Sequence, residues 1–354
     1  MSATLRPVLA TLPAYVPGRT VPGAIKLASN ETPHAPLPYV VERIAAVAAD
    51  ANRYPDNDAT DLVAALALRY GVAAEQVRVG CGSVSLCRQL VQAVAGAEDE
   101  VLYAWRSFEA YPLVAAMSGA SSVQVPLRAD CVHDLDAMAD RITGDTRLVI
   151  VCNPNNPTGT TVDRESLVRF LRAVPTDVVV MLDEAYREFV TDDSVPDGVS
   201  LLGEFANLVV LRTFSKAYGL AGLRVGYALA ADPALATAIG QTQVPFTVSS
   251  VAQAAALASL EPEGERQLRG RVAEVGAERV RVRDALLGLG YEVPPTQANF
   301  VWLPLGDRTA GWAADCEERG VIVRAYPGSG ARVSIGTPDE DDRFLAVAGQ
   351  LSVS

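Results

Sequence analysis

Lysine is nearly missing from this sequence. Of 30 basic residues in 354, only Lys26 and Lys216 are lysine. Where any cation will serve, a biased codon supply delivers arginine, so the two remaining amines point to chemistry that a guanidinium cannot perform at neutral pH. Histidine is as scarce, with only His34 and His133, and the five cysteines (Cys81, Cys87, Cys131, Cys152, Cys316) are odd in number and contain no Cys-x-x-Cys pair. Neither a zinc site nor a disulfide scaffold is indicated. No apolar stretch approaches the roughly 20 residues that cross a bilayer, and the first residues lack the order of a secretory leader. A soluble, cytoplasmic protein is expected. Positive charge is in deficit, 42 acidic residues against 30 basic ones leaving a formal charge of −12. That sign repels phosphate backbones and anionic lipid heads, so neither nucleic acid nor membrane is an expected partner.

What is present is enough chain for about two domains, with 49% apolar residues to fill a large core. Residues 1–35 are rich in proline and glycine and read as an extended arm. Apolar residues recur at helical spacing over 39–50 and 60–70, with Asn52-Arg53-Tyr54-Pro55 in the turn between them. Short apolar runs at 76–79, 100–104, 122–125, 147–152, 178–182, 208–211 and 224–230 then alternate with helical stretches at 83–95, 109–118, 134–141 and 163–173. Continuous apolarity, as in Val178-Val179-Val180-Met181-Leu182, suits strands buried on both faces, and so an α/β domain around a mostly parallel sheet. The expected division is an arm over 1–35, a large domain over 36–248 and a small α+β domain over 249–354. The last contains a long charged helix at 263–287 and strands at 299–303, 321–324 and 332–335. The acidic clusters Asp192-Asp193 and Asp339-Glu340-Asp341-Asp342 read as solvated surface.

Ligands of open α/β sheets sit beyond the carboxyl ends of the strands, so the residues there are the candidates. Gly80-Cys81-Gly82-Ser83 leaves a strand and opens a helix, where free N–H groups favour a phosphate. Without a following Gly-Lys-Ser/Thr it is not a nucleoside triphosphate loop. Asn153-Pro154-Asn155-Asn156-Pro157-Thr158-Gly159 holds an amide in a rigid double turn. Asp183-Glu184-Ala185-Tyr186 follows the most apolar strand, where a carboxylate is costly unless paired. Ser215-Lys216 and Arg224 follow another strand within a glycine-rich run. An amine, a strand-end carboxylate, a phosphate nest and an Asn/Tyr pair together suit pyridoxal 5′-phosphate.

The run Ser215-Lys216-x-x-Gly219-Leu220-x-Gly222-x-Arg224-x-Gly226, with Asn156-Pro157-Thr158-Gly159 and Asp183-Glu184-x-Tyr186, resembles the fold-type-I class I/II aminotransferases. Lys26-Leu27-Ala28-Ser29-Asn30-Glu31, Asn52-Arg53-Tyr54-Pro55 and Ala298-Asn299-Phe300 are similar to signatures of the histidinol-phosphate aminotransferase branch. Closer still, Val79–Ser85, Trp105–Tyr111 and Val244–Ser250 resemble the actinobacterial aromatic (phenylalanine) aminotransferases, Val84-Ser85 standing where the histidinol-phosphate enzymes carry a polar-acidic pair.

The resemblance implies that Lys216 is covalent anchor and general base, that Asp183 pairs with the pyridinium, and that Asn156 and Tyr186 hold the phenolic oxygen while Phe108 stacks on the ring. Ser83, Val84, Ser215 and Arg224 would hold the phosphate. Tyr54 would reach it from a neighbouring subunit, which implies a homodimer with shared sites. Arg332 matches the arginine that binds the α-carboxylate, Arg324 is placed for an anionic side chain or a substrate phosphate, and Tyr15 and Asn30 close the pocket; no metal is implied. The implied reaction is ping-pong transfer of an amino group between an aromatic amino acid and 2-oxoglutarate. Histidinol phosphate remains the alternative substrate, and a lyase, a decarboxylase or a non-catalytic descendant are further alternatives.

Overall fold

The computed structural model describes residue 18 and residues 20–351, and its first element is a short strand, β1 (Ile25–Leu27). Helices α1 (Pro38–Ala48) and α2 (Thr60–Tyr70) follow. Strands and helices then alternate as β2 (Val77–Gly80), α3 (Ser83–Val94), β3 (Glu100–Trp105), α4 (Ala110–Ser118), β4 (Ser121–Pro126), α5 (Leu135–Asp140), β5 (Thr146–Cys152), α6 (Arg164–Ala173) and β6 (Val179–Asp183). Strands β7 (Leu208–Thr213) and β8 (Gly226–Ala230) precede α7 (Pro233–Gln241), α8 (Ser250–Leu260) and the 27-residue α9 (Pro262–Gly288). The chain continues through β9 (Phe300–Gly306), α10 (Thr309–Glu318), β10 (Val321–Tyr326), β11 (Ser329–Ser334) and α11 (Pro338–Ala348).

Seven strands form one sheet in the order β2-β8-β7-β6-β5-β3-β4, in which β8 alone runs against the rest. The expected mostly parallel sheet is borne out. All residues of β6, β7 and β8 are buried, because helices and their apolar clusters cover both faces. A second sheet, β1-β10-β11-β9, pairs β10 with β11 and β11 with β9 antiparallel. Within the described part of the arm, Ile25–Leu27 joins this second sheet by pairing in parallel with Val321–Val323. No described helix is long and apolar enough to cross a membrane.

Differences from the sequence reading have local causes. The strand expected from residue 224 begins at Gly226, since Arg224 takes a left-handed φ of 59° and turns the chain before it. Helix α7 was not anticipated: its Ala-rich sequence has no clear polar face, and its start is fixed by Asp232, whose side chain accepts from the Ala234 N–H. The cluster at 339–342 is not simply solvated surface. Thr337 and Glu340 form a reciprocal capping box on α11, and the fully buried Asp341 accepts from the Gly336 N–H at 3.0 and 3.2 Å.

Beneath the carboxyl edge of the large sheet, Arg212 of β7 donates to Glu184 through Nε at 2.9 Å and Nη2 at 2.6 Å, and to Asp197 at 2.6 Å. Both Arg212 and Glu184 are almost wholly buried. Removing one partner leaves the other charged and dry, so Arg212→Leu is expected to cost about 3–5 kcal/mol, while adding Glu184→Leu recovers part of the loss. Urea unfolding of the two variants checks this.

Candidate active site

The strands of the large sheet end together, and their terminal residues face a cavity of about 210 Å³. Register puts Asp183 of β6 beside Cys152 of β5 and Leu211 of β7, so the loops leaving these three strands meet at one place. The cavity wall gathers Ser83, Val84, Phe108, Asn156, Asp183, Tyr186, Ser215, Lys216 and Arg224 from the large sheet's edge, and Arg324 and Arg332 from the small one. They come from loops and strand ends spread between residues 83 and 332.

Asp183 is buried, and burial pushes its carboxyl pKa up; the Tyr111 hydroxyl, donating to Oδ2 at 2.7 Å, the Ala185 N–H on Oδ1 at 3.2 Å and the nearby Lys216 act the other way. The Lys216 amine lies 3.4 Å from the carbonyl oxygens of Ser29 and Asn30. Its pKa falls to about 7, chiefly through loss of water and then through Arg332 and Arg224, against the pull of Glu31 and Asp183. A substantial share of this amine is therefore unprotonated near neutrality.

At the start of α3, Gly82 adopts a φ of 78°, and a Cβ there would lie 2.6 Å from the Arg224 guanidinium. Glycine thus allows a guanidinium to close over a helix N-terminus, and with the Ser215 hydroxyl 3.4 Å from Arg224 Nη1 this makes a cradle for a phosphate. Across the cavity Arg332 is held by three acceptors: Asn156 Oδ1 at 2.6 Å, the Tyr326 hydroxyl at 3.1 Å and the Ala28 carbonyl at 2.8 Å. Its Nε is buried with no hydrogen-bond partner among the described residues. A fixed guanidinium with a donor to spare suits a carboxylate.

Residues 22–347 match the family described as aminotransferase class I and II. The chain belongs to the class I and II aminotransferases. It is 58% identical to an aromatic amino acid aminotransferase of Rhodococcus jostii, over 98% of this chain and 96% of that protein, and 56% identical to one of Streptomyces coelicolor, over 98% and 97%. Among solved structures, the histidinol-phosphate aminotransferase of Sinorhizobium meliloti in complex with pyridoxal-5′-phosphate superposes with a TM-score of 0.89 at 29% identity, covering 99% of each chain.

In this aminotransferase two expected residues stand apart from the cavity. Tyr54 is 83% exposed and stacks on Phe246, ring centroids 4.6 Å apart, outside the cavity wall. Asn30 is wholly buried rather than on the wall, and donates to the Tyr186 hydroxyl at 2.9 Å. Tyr15 lies outside the described residues. Sequence reading gave no role to Tyr111, Glu109 or Tyr326. Period-two alternation in β10 places Tyr326 on the face of Arg324 and was the available signal for it; nothing in the sequence pattern marks Tyr111 as the partner of Asp183.

The lowered Lys216 pKa has two consequences in cofactor-free protein. Labelling by an aldehyde reagent with borohydride, above the background of Lys216→Ala, is expected to rise with pH with a midpoint near 7. Because the unfolded chain holds this proton up to about pH 10.5, the group also adds stability as pH rises from about 7 to that value. A labelling midpoint near that of a free lysine contradicts the effect of burial.

Proposed function

We propose that this chain is a pyridoxal 5′-phosphate-dependent aromatic amino acid aminotransferase that moves an amino group between an aromatic amino acid and 2-oxoglutarate. The observation that carries the reading is a single lysine amine on a cavity wall shared with a helix-end phosphate cradle and an arginine fixed by three acceptors. The donor set fits this cofactor: Ser83, Val84, Ser215 and Arg224 would hold the phosphate, Asp183 the ring nitrogen, Asn156 and Tyr186 the phenolic oxygen, and Phe108 the ring face. The names of the relatives supply the aromatic class.

When bound, the cofactor supplies an aldehyde for covalent attachment and a ring that accepts electrons from Cα. The protein supplies the rest. Lys216 Nζ would bind the cofactor's aldehyde carbon and, as a free amine, would take the proton from substrate Cα and deliver it to that aldehyde carbon on the far side of the substrate nitrogen; a pKa near 7 suits both directions. Asp183, kept as an acceptor by Tyr111, favours the protonated ring nitrogen. Arg332 orients the substrate by its α-carboxylate. Histidinol phosphate as substrate rests on structural neighbours at 29% identity and below, against 54–58% for the aromatic relatives.

The reading extends to assembly and place. It takes 36–248 as the large domain and 249–354 as the small one. Tyr54, Phe246 (44% exposed) and Val244 (62%) form an apolar group on one surface, and a second copy of the chain would cover it and bring Tyr54 to the partner's phosphate cradle. Five free cysteines fit a reducing cytoplasm.

Purified holoenzyme is expected to be yellow and to transfer the amino group of phenylalanine and tyrosine to 2-oxoglutarate. Lys216→Ala should hold the chromophore without borohydride fixing it, with turnover down about 10³-fold or more. A colourless protein, or turnover retained in that variant, defeats the assignment. Sedimentation is expected to give twice the chain mass, and Tyr54→Ala to raise the cofactor dissociation constant about tenfold; a monomeric holoenzyme removes the shared site.

A further inference from the structure

The cavity contains a charge pair that the reaction itself does not call for. Arg324 of β10 and Arg332 of β11 are direct cross-strand partners, so their side chains rise from the same face of the small sheet. Two like charges in that position repel unless each has a counter-ion. Arg332 would meet the α-carboxylate of an amino acid or 2-oxo acid. Arg324 meets Glu109, whose Oε2 lies 2.7 Å from its Nη2, and both side chains line the cavity. Helix capping does not explain this carboxylate: Glu109 occupies the N-cap position of α4 yet makes no side-chain cap bond. Tyr326 lies between the two cations, its ring centroid 5.7 Å from the Arg324 guanidinium and 5.9 Å from that of Arg332.

An aminotransferase that couples an aromatic substrate to a dicarboxylate must accept, in one pocket, a side chain without charge and one with it. Resting on the reading above, we propose that Glu109 is the specificity-determining residue for this choice: as resident counter-ion of Arg324, it lets a neutral aromatic side chain meet a neutralised pair and makes an anionic side chain compete for the guanidinium. A side-chain carboxylate takes the place of Glu109 on Arg324. Glu109 thereby holds the preference of the pocket toward aromatic substrates while leaving the dicarboxylate half-reaction open.

Equilibrium binding to the holoenzyme tests this apart from turnover, with glutarate as the non-reacting dicarboxylate and 3-phenylpropionate as the non-reacting aromatic acid, titrated by calorimetry. For Glu109→Gln the glutarate dissociation constant is expected to fall about tenfold relative to that of 3-phenylpropionate. In the same variant, kcat/KM for glutamate relative to phenylalanine should rise by a similar factor, mainly through KM. The double variant Glu109→Gln with Arg324→Gln should show neither gain. An unchanged binding ratio in Glu109→Gln, or a gain that survives in the double variant, overturns the proposal. Should Glu109→Gln not fold, Arg324→Gln carries the test from the other side: glutarate must weaken more than 3-phenylpropionate, and equal weakening overturns it. Failure of wild-type enzyme to transfer amino groups from any aromatic substrate strikes the broader reading instead, and the binding ratios distinguish the two failures.

Discussion

An amine withdrawn from water must be held where opposite pulls on its proton nearly cancel, and the arrangement around Lys216 follows from that constraint. Burial, Arg332 and Arg224 favour the neutral form, while Glu31 and Asp183 favour the cation. Moving any of these charges shifts the amine away from the range in which it can both give and take a proton. The chain as a whole carries a formal charge of −12, yet Arg224, Arg324, Arg332 and Lys216 converge on one cavity. The background repels anions in general, and the cavity gathers positive charge where one can bind.

The adjacent acids Asp183 and Glu184 show how strand geometry divides labour. Asp183, the last residue of β6, faces the cavity; Glu184 is drawn to Arg212 on the neighbouring strand. The first carboxylate has a tyrosine hydroxyl and an amide as neutral partners, which leaves its charge available to a cation in the cavity. Glu184 has a guanidinium, which consumes its charge and fixes the end of the strand. Two identical functional groups, one residue apart, thus become a site and its support.

Much of this was legible in the sequence because it depends on local order. Continuous apolar runs announced the buried parallel strands, and polar residues directly after them announced the cavity wall, which is why Asp183, Asn156 and Lys216 were found without coordinates. Cross-chain partners left no such trace. Tyr111 reaches Asp183 across 72 positions, and Glu109 reaches Arg324 across 215. Asp341 read as one more surface acid because its burial is decided by the packing of α11 and not by its neighbours in sequence. Helix α7 escaped for want of amphipathic contrast, its start being set by one aspartate cap.

The distance between the Arg324 and Arg332 guanidiniums is set by strand register and not by a loop. A one-residue slip between β10 and β11 would turn Arg332 to the opposite face and leave Arg324 alone in the cavity. Register is held on the other side of β11, where the pairing with β9 shifts between Ser329 and Ala331. Gly330 lies within that irregularity, and any side chain there would run into the Leu303 carbonyl and the Trp302 ring. The close approach that only glycine allows fixes β11 against β9, β11 in turn fixes Arg332 opposite Arg324, and Ser334, two residues further along the same face, accepts from the Asn30 N–H and so joins the arm to the pocket. The placing of both guanidiniums on the cavity wall is therefore coupled to the packing of the small sheet, through a glycine that is not itself on that wall.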